Sequence, residues 1–237
     1  MKILICGKGG CGKSTIAAML AKHLAERGFT VLVVDADESN VGLYRMLGLG
    51  KAKTLAEYLG GKRGLKDRIN GGDLTLPKAV GEIPAEVLSW KGNIAAISIG
   101  KIEEPGEGCA CLYGLLAREF LRNLELGEDE VALVDTEAGI EHFGRGLDLV
   151  VDRIVNVAEP NLESLLLSRK IRDLARKAGV KSVFVLNKAV PGILDKVEPK
   201  PDIVIPFAEG LLYGGLEGKE VEPLPQVGKL WGRIGSD

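Results

Sequence analysis

The stretch Gly7-Lys8-Gly9-Gly10-Cys11-Gly12-Lys13-Ser14 follows a short apolar run and precedes apolar residues at helical spacing. It has the form G-x4-G-K-[ST], which suits phosphate chemistry. Its glycines let backbone N–H groups turn inward with no Cβ in the way. The N-terminus of the following helix adds positive partial charge. In such a loop Lys13 reaches the β- and γ-phosphates of a nucleoside triphosphate, and the Ser14 hydroxyl ligates Mg²⁺. The competing reading is a glycine-rich turn with no ligand, and it leaves the order of strand, loop and helix unexplained.

Three carboxylates stand where such a loop needs them. Asp35 and Asp37 close the apolar run Phe29–Val34, and Asp135 closes Val131–Val134. The carboxyl ends of strands are where open α/β sheets bind ligands. A single Asp after a strand is more often a loop cap, but three beside a phosphate loop form a stronger pattern. Asn187-Lys188 follows the run Val183–Leu186. An Asn amide can both donate to and accept from a purine edge. A guanine-reading N-K-x-D needs Asp at its fourth position, where Val190 stands. ATP is therefore favoured over GTP.

Cys109-Ala110-Cys111 lies in a polar, glycine-rich segment just before a helical pattern. Two thiolates cannot fill a tetrahedral metal site. Two copies of the pair across a two-fold axis supply four, with metal–sulfur distances near ~2.3 Å. Incidental free thiols, or a local disulfide that a reducing compartment disfavours, are the alternatives. Cys6 falls in a buried strand and reads as a small hydrophobe. Cys11 sits in the loop with no chemistry of its own.

Strands alternating with helices bring these residues together. Strands are predicted over Lys2–Cys6, Phe29–Val34, Asn93–Ile99, Glu130–Val134, Arg153–Ala158, Lys181–Leu186 and Asp202–Ile205. Helices are predicted over Ser14–Arg27, Thr54–Leu59, Leu112–Leu124, Leu162–Ala178 and Pro223–Ile234. Residues 62–91 are rich in Gly, Pro and charge, with poor periodicity, and predict a surface excursion with a hairpin. Continuous apolar strands joined by helices imply an α/β fold with a mainly parallel, twisted sheet and helices on both faces.

Composition bounds the remaining possibilities. The 237 residues suit one domain, residues 1–237, with no linker or internal repeat. Basic and acidic residues number 31 and 33, so no global charge favours nucleic acid or a membrane as partner. The longest apolar runs are of strand length, which excludes a membrane-spanning helix. Met1-Lys2 leads straight into a strand, where no signal peptide fits, so a cytoplasmic location is expected. Four cysteines do not make a disulfide scaffold. One Gln beside many Glu and Lys is a thermophile-like balance.

Lys8 makes the phosphate loop more specific. The doubled lysine of Lys8-Gly9-Gly10-Cys11-Gly12-Lys13 resembles the deviant Walker A motif. That motif marks a group of P-loop NTPases that act as dimers, including the nitrogenase iron protein, the cell-division and partition ATPases, and metal-insertion ATPases. The stretch Thr136-Glu-Ala-Gly-Ile-Glu-His-Phe-Gly-Arg-Gly146, together with Cys-x-Cys, is similar to the carbon monoxide dehydrogenase maturation ATPases. Those ATPases serve nickel insertion. The resemblance runs over nearly the whole chain but finds no motif in residues 62–91.

The resemblance implies a homodimer in which Lys8 crosses to the partner's nucleotide, as an arginine finger does. It implies ATP/ADP and Mg²⁺ held by Gly7, Gly9, Gly10, Cys11, Gly12, Lys13, Ser14 and Thr15. Asp37 would position the attacking water, with Asp35 and Asp135 supporting the Mg²⁺. Asn187, Pro206 and Phe207 would face adenine. Cys109 and Cys111 would hold Ni²⁺ or Zn²⁺ between subunits, and a nickel-containing carbon monoxide dehydrogenase would be the client. His142 fits a switch residue better than a metal ligand, although imidazole suits nickel, and a satisfied loop histidine is the plainer reading. Two other readings stand beside this one. An iron–sulfur electron donor like the nitrogenase iron protein would be brown. A positioning or partition switch would need a basic surface-binding tail, and residues 223–237 carry only Lys229 and Arg233 as bases.

Overall fold

Ile3-Leu4-Ile5-Cys6 and Val31–Val34 are apolar at every position, and a strand covered on both faces buries them all. The computed structural model, which describes residues 1–102 and 111–236, places them in one sheet. Among the described residues that sheet has eight strands: β1 (Lys2–Gly7), β2 (Thr30–Ala36), β3 (Leu88–Lys91), β4 (Ile94–Ser98), β5 (Glu130–Thr136), β6 (Arg153–Ala158), β7 (Lys181–Ala189) and β8 (Ile203–Pro206). Their spatial order is β3-β4-β2-β5-β1-β6-β7-β8. Every pairing is parallel except the antiparallel edge pair β3–β4.

The helices are α1 (Lys13–Glu26), α2 (Leu43–Leu47), α3 (Leu55–Tyr58), α4 (Gly61–Gly71), α5 (Cys111–Asn123), α6 (Glu141–Gly144), α7 (Leu162–Lys177), α8 (Glu209–Leu216) and α9 (Gln226–Gly235). Side chains alternate across the sheet, so two cores form. Ile3 and Ile5 pack with α1, α2 and α9 on one face, whereas Leu4 and Cys6 pack with α3, α4, α5 and the second half of α7 on the other. No helix among the described residues is long and apolar enough to cross a membrane.

Residues 62–91 correct one expectation. The hairpin is present, with β3 returning against β4. The first third of the segment also belongs to α4, which periodicity did not reveal. Gly61, Gly64 and Gly71 lower its intrinsic propensity, and Leu65 is its one buried residue. Packing on the lower core makes up the difference, with Ile69, Leu74 and Leu76 partly buried beside Leu65. The short helices α2, α6 and α8 also go beyond the sequence pattern.

The parallel strands send their carboxyl ends to a single edge. Gly7, Asp35, Asp135 and Asn187 therefore emerge side by side, and Asp35 and Asp135 are register partners across β2 and β5. The candidate site lies along that edge.

Candidate functional site

The phosphate loop takes its shape from two close approaches. Gly7 has φ +150°, and a Cβ there would stand 2.1 Å from the carbonyl oxygen of Val157. Gly12 has φ +98°, and a Cβ there would stand 2.3 Å from Nδ2 of Asn187. Gly12 also caps α1 without a side chain, which leaves the first helical N–H groups to a ligand. Two residues of the β7 end brace the loop from outside. Asn187 Nδ2 donates to the Cys11 carbonyl at 2.8 Å, and Lys188 Nζ donates to the Gly10 carbonyl at 2.6 Å.

The two loop lysines have separate surroundings. Lys13 is buried, with Nζ 3.5 Å from the Lys8 carbonyl oxygen, and has no acidic partner among the described residues. Lys8 is half-exposed and pairs with Glu163 in the first turn of α7.

Ser14, Asp135 and Asn40 form a tight cluster behind the loop. Ser14 Oγ donates to Asp135 Oδ2 at 2.6 Å. The Asn40 amide donates to the same carboxylate oxygen and to Ser14 Oγ, both at 2.9 Å. The other oxygen, Asp135 Oδ1, is buried and has no hydrogen-bond partner among the described residues. Burial pushes the Asp135 carboxyl up to about 7. A hard cation relieves this arrangement by taking oxygen ligands from Ser14 and Asp135, so the residues fit Mg²⁺. The positive end of the Asn40 amide stands in for such a cation. Asn40→Ala should lower the Mg²⁺ concentration needed for nucleotide binding about fivefold, the equivalent of about 1 kcal/mol for hydrogen bonds no longer displaced. A Mg²⁺ titration of nucleotide affinity reads this directly, and an unchanged midpoint would refute it.

Asp35 is buried and pairs with Lys101, Nζ to Oδ2 at 2.7 Å. Burial raises its carboxyl to about 6, against the pull of Lys101. Asp37 is half-buried, and its Oδ1 accepts from Ser39 N–H at 2.9 Å and Ser39 Oγ at 2.6 Å. A cavity of about 520 Å³ opens beside Asp37, Lys13, Ser14 and Asn40. Another, of about 350 Å³, lies on the far side of the loop against Thr15, Asn187, Pro206 and Phe207, with Leu211 and Leu212 of α8 closing it. The first has the charges a triphosphate needs, and the second is apolar with one amide, as a base requires.

Arg145 ties two site loops together. Its guanidinium pairs with Glu137 at 2.6 Å and Glu38 at 3.3 Å. The same side chain covers Gly114 of α5, where a Cβ would meet Arg145 Cδ at 2.3 Å. His142 is buried, and neither ring nitrogen has a hydrogen-bond partner among the described residues. Burial, with Lys13 and Arg145 nearby, lowers its pKa to about 3 and keeps it neutral.

The cysteines divide as their positions suggest. Cys6 and Cys11 are free and buried. Burial drives both thiols up, that of Cys11 to about 11. Cys111 is exposed at the start of α5 and is in the disulfide form. Cys109 lies outside the described residues. Among those described, no group of three or more His, Cys, Asp or Glu is arranged around a metal position.

Three contributors escape the motif pattern, Asn40, Lys101 and Glu38, while Arg145 lies in the stretch 136–146 with no partner evident from the sequence. The signal that points to them is position. Glu38 and Asn40 belong to the polar run after β2, and Lys101 follows the end of β4, all on the edge where the phosphate loop opens.

The CobQ/CobB/MinD/ParA nucleotide-binding domain matches residues 2–192. An uncharacterized ATP-binding protein of Methanocaldococcus jannaschii, MJ0084, is 44% identical over 233 residues, covering 93% of this chain and 94% of that protein. The carbon monoxide dehydrogenase accessory protein CooC of Rhodospirillum rubrum is 37% identical over 199 residues, covering 79% of this chain and 74% of CooC. The septum site-determining protein MinD of Pyrococcus horikoshii, solved with Mg-ADP, superimposes with a TM-score of 0.67 at 23% identity, over 92% of this chain and 86% of that one. With a phosphate loop, a Ser14–Asp135 oxygen pair and a base cavity in one row, this chain belongs to the CobQ/CobB/MinD/ParA family of nucleotide-binding P-loop ATPases.

Proposed function

We propose that the chain is a dimeric, ATP-hydrolysing metallochaperone that loads nickel into a carbon monoxide dehydrogenase. Two copies would share one Ni²⁺ or Zn²⁺ through Cys109 and Cys111. The reading gains support from the similarity to CooC and from the doubled lysine of the phosphate loop. One observation carries it further than ATP hydrolysis alone. Arg145 joins Glu38 and Glu137, which follow Asp37 and Asp135, and rests on Gly114, three residues beyond Cys111. The helix that begins with a candidate metal ligand is therefore linked, through Arg145, to both loops that follow Asp37 and Asp135.

Within the site each residue has a task. Lys13 and the N–H groups at the start of α1 bind the phosphates, and the hollow beside Asn187 and Phe207 takes the adenine. Ser14 and Asp135 would hold Mg²⁺, which supplies charge neutralisation at the phosphates. Asp37 orients the water, and Lys8 of each copy stabilises charge on the partner's phosphates. Val41, Leu162, Val190 and Leu216 are exposed on segments that follow the carboxyl ends of β2, β6, β7 and β8. They offer an apolar rim for the second copy.

The test is a metal titration of reduced protein without nucleotide, with ADP and with a slow ATP analogue, read by bound metal and by mass in solution. One ion per two chains is expected, with metal lost from Cys109→Ser and Cys111→Ser while nucleotide still binds. One ion per chain, or full metal retention after both substitutions, would overturn the shared site. A brown protein with an absorption band near the blue would favour an iron–sulfur cluster instead.

A further inference from the structure

Lys101 is a lysine with almost no access to water. Its side chain is 8% exposed, and that of its partner Asp35 is 1% exposed. A buried ammonium persists where oxygen ligands replace its hydration. Lys101 finds two on the β2 side of the edge. Nζ lies 2.7 Å from Asp35 Oδ2 and 2.5 Å from the backbone carbonyl oxygen of Asp37. The backbone follows the same course. Ile99 N–H donates to the Asp35 carbonyl at 3.0 Å, and Ile102 N–H donates to the Glu38 carbonyl at 3.3 Å. Residues 99–102 thus lie along residues 35–38 like one further step of the sheet. Asp37 N–H also donates to Asp35 Oδ1 at 3.3 Å. One carboxylate, one ammonium and two backbone groups therefore fix where the Asp37 loop begins.

We propose that Lys101 is a positioning residue: it sets the start of the Asp37 loop for hydrolysis. The proposal rests on the reading of Asp37 as the residue that orients the attacking water. Lys101 acts through the Asp37 carbonyl and the Asp35 carboxylate, so loss of the ammonium frees the start of that loop. A lysine that only neutralised Asp35 for the sake of folding would need neither the Asp37 carbonyl nor the strand-like bonding of residues 99–102.

The experiment compares the parent with Lys101→Met and Lys101→Arg as reduced, full-length protein. Turnover should fall about 10–100-fold in Lys101→Met, the scale for a small misplacement of a reacting group. KM and Mg-ADP affinity should stay within about threefold, because the loss is confined to the reacting step. Lys101→Arg should recover part of the turnover. If Lys101→Met does not fold, Lys101→Gln, which keeps an N–H donor toward Asp35, takes its place and should also lose turnover with KM little changed.

Parent-like turnover in the folded variant would overturn the positioning role. Failure of the Asp37 reading shows separately, as normal turnover in Asp37→Asn.

Discussion

Lys8→Ala should bind ATP as the parent does and hydrolyse it about 10²–10³-fold more slowly, the scale for one preorganised charge-stabilising donor. The structure separates the two loop lysines in a way that makes the result specific. Lys13 is buried within the loop, where it would serve the phosphates of its own chain. Lys8 is half-exposed and reaches away to Glu163, on the first turn of α7. Exposed ion pairs of this kind exchange readily, so Glu163 does not hold Lys8 back from a second chain. The loss should appear in kcat, with KM little changed, because the contribution is made as charge develops rather than on binding. Mixing Lys8→Ala subunits with Lys13→Ala subunits adds a sharper reading. A mixed dimer regains one complete site, made of an intact Lys13 on one chain and an intact Lys8 on the other. Recovered turnover in the mixture supports transfer across the interface. Parent-like turnover of Lys8→Ala alone removes the lysine from the reaction.

Asp37→Asn should trap the ATP-bound state. The change keeps an oxygen at the position that accepts from Ser39 N–H and Oγ, so the turn Asp37–Asn40 survives. What goes is the negative charge that, on the proposed role of Asp37, would orient and polarise water, a contribution of about 10²–10⁴ in rate. ATP affinity should hold, and dimers with unhydrolysed ATP should accumulate. Single-turnover hydrolysis followed beside mass in solution measures both. Normal turnover would show that the carboxylate takes no part.

Much of this arrangement was legible from residue order. The phosphate loop is local, eight residues long, and its chemistry fixes its spacing. β1, β2 and β5 were legible because sheets buried on both faces leave no polar positions to confuse the pattern. Asp35, Asp135 and Asn187 were legible because each ends such a strand. Lys101 and Arg145 were not, since each acts through partners that only folding brings near, and an isolated basic residue reads as solvated surface until burial is known. α4 and α8 hid for another reason. Each carries three glycines, and few or none of their side chains are buried, so neither propensity nor periodicity marks them.

The bracing of the phosphate loop by Asn187 and Lys188 bears on how the protein is made. The loop lies within the first fourteen residues, yet its Gly10 and Cys11 carbonyls are held by side chains from the end of β7. During synthesis the motif leaves the ribosome more than 170 residues ahead of its supports. A nascent chain shorter than this carries the full signature and no working pocket. Nucleotide capture is therefore a late event in the life of the polypeptide, and acquiring it marks a sheet completed as far as β7.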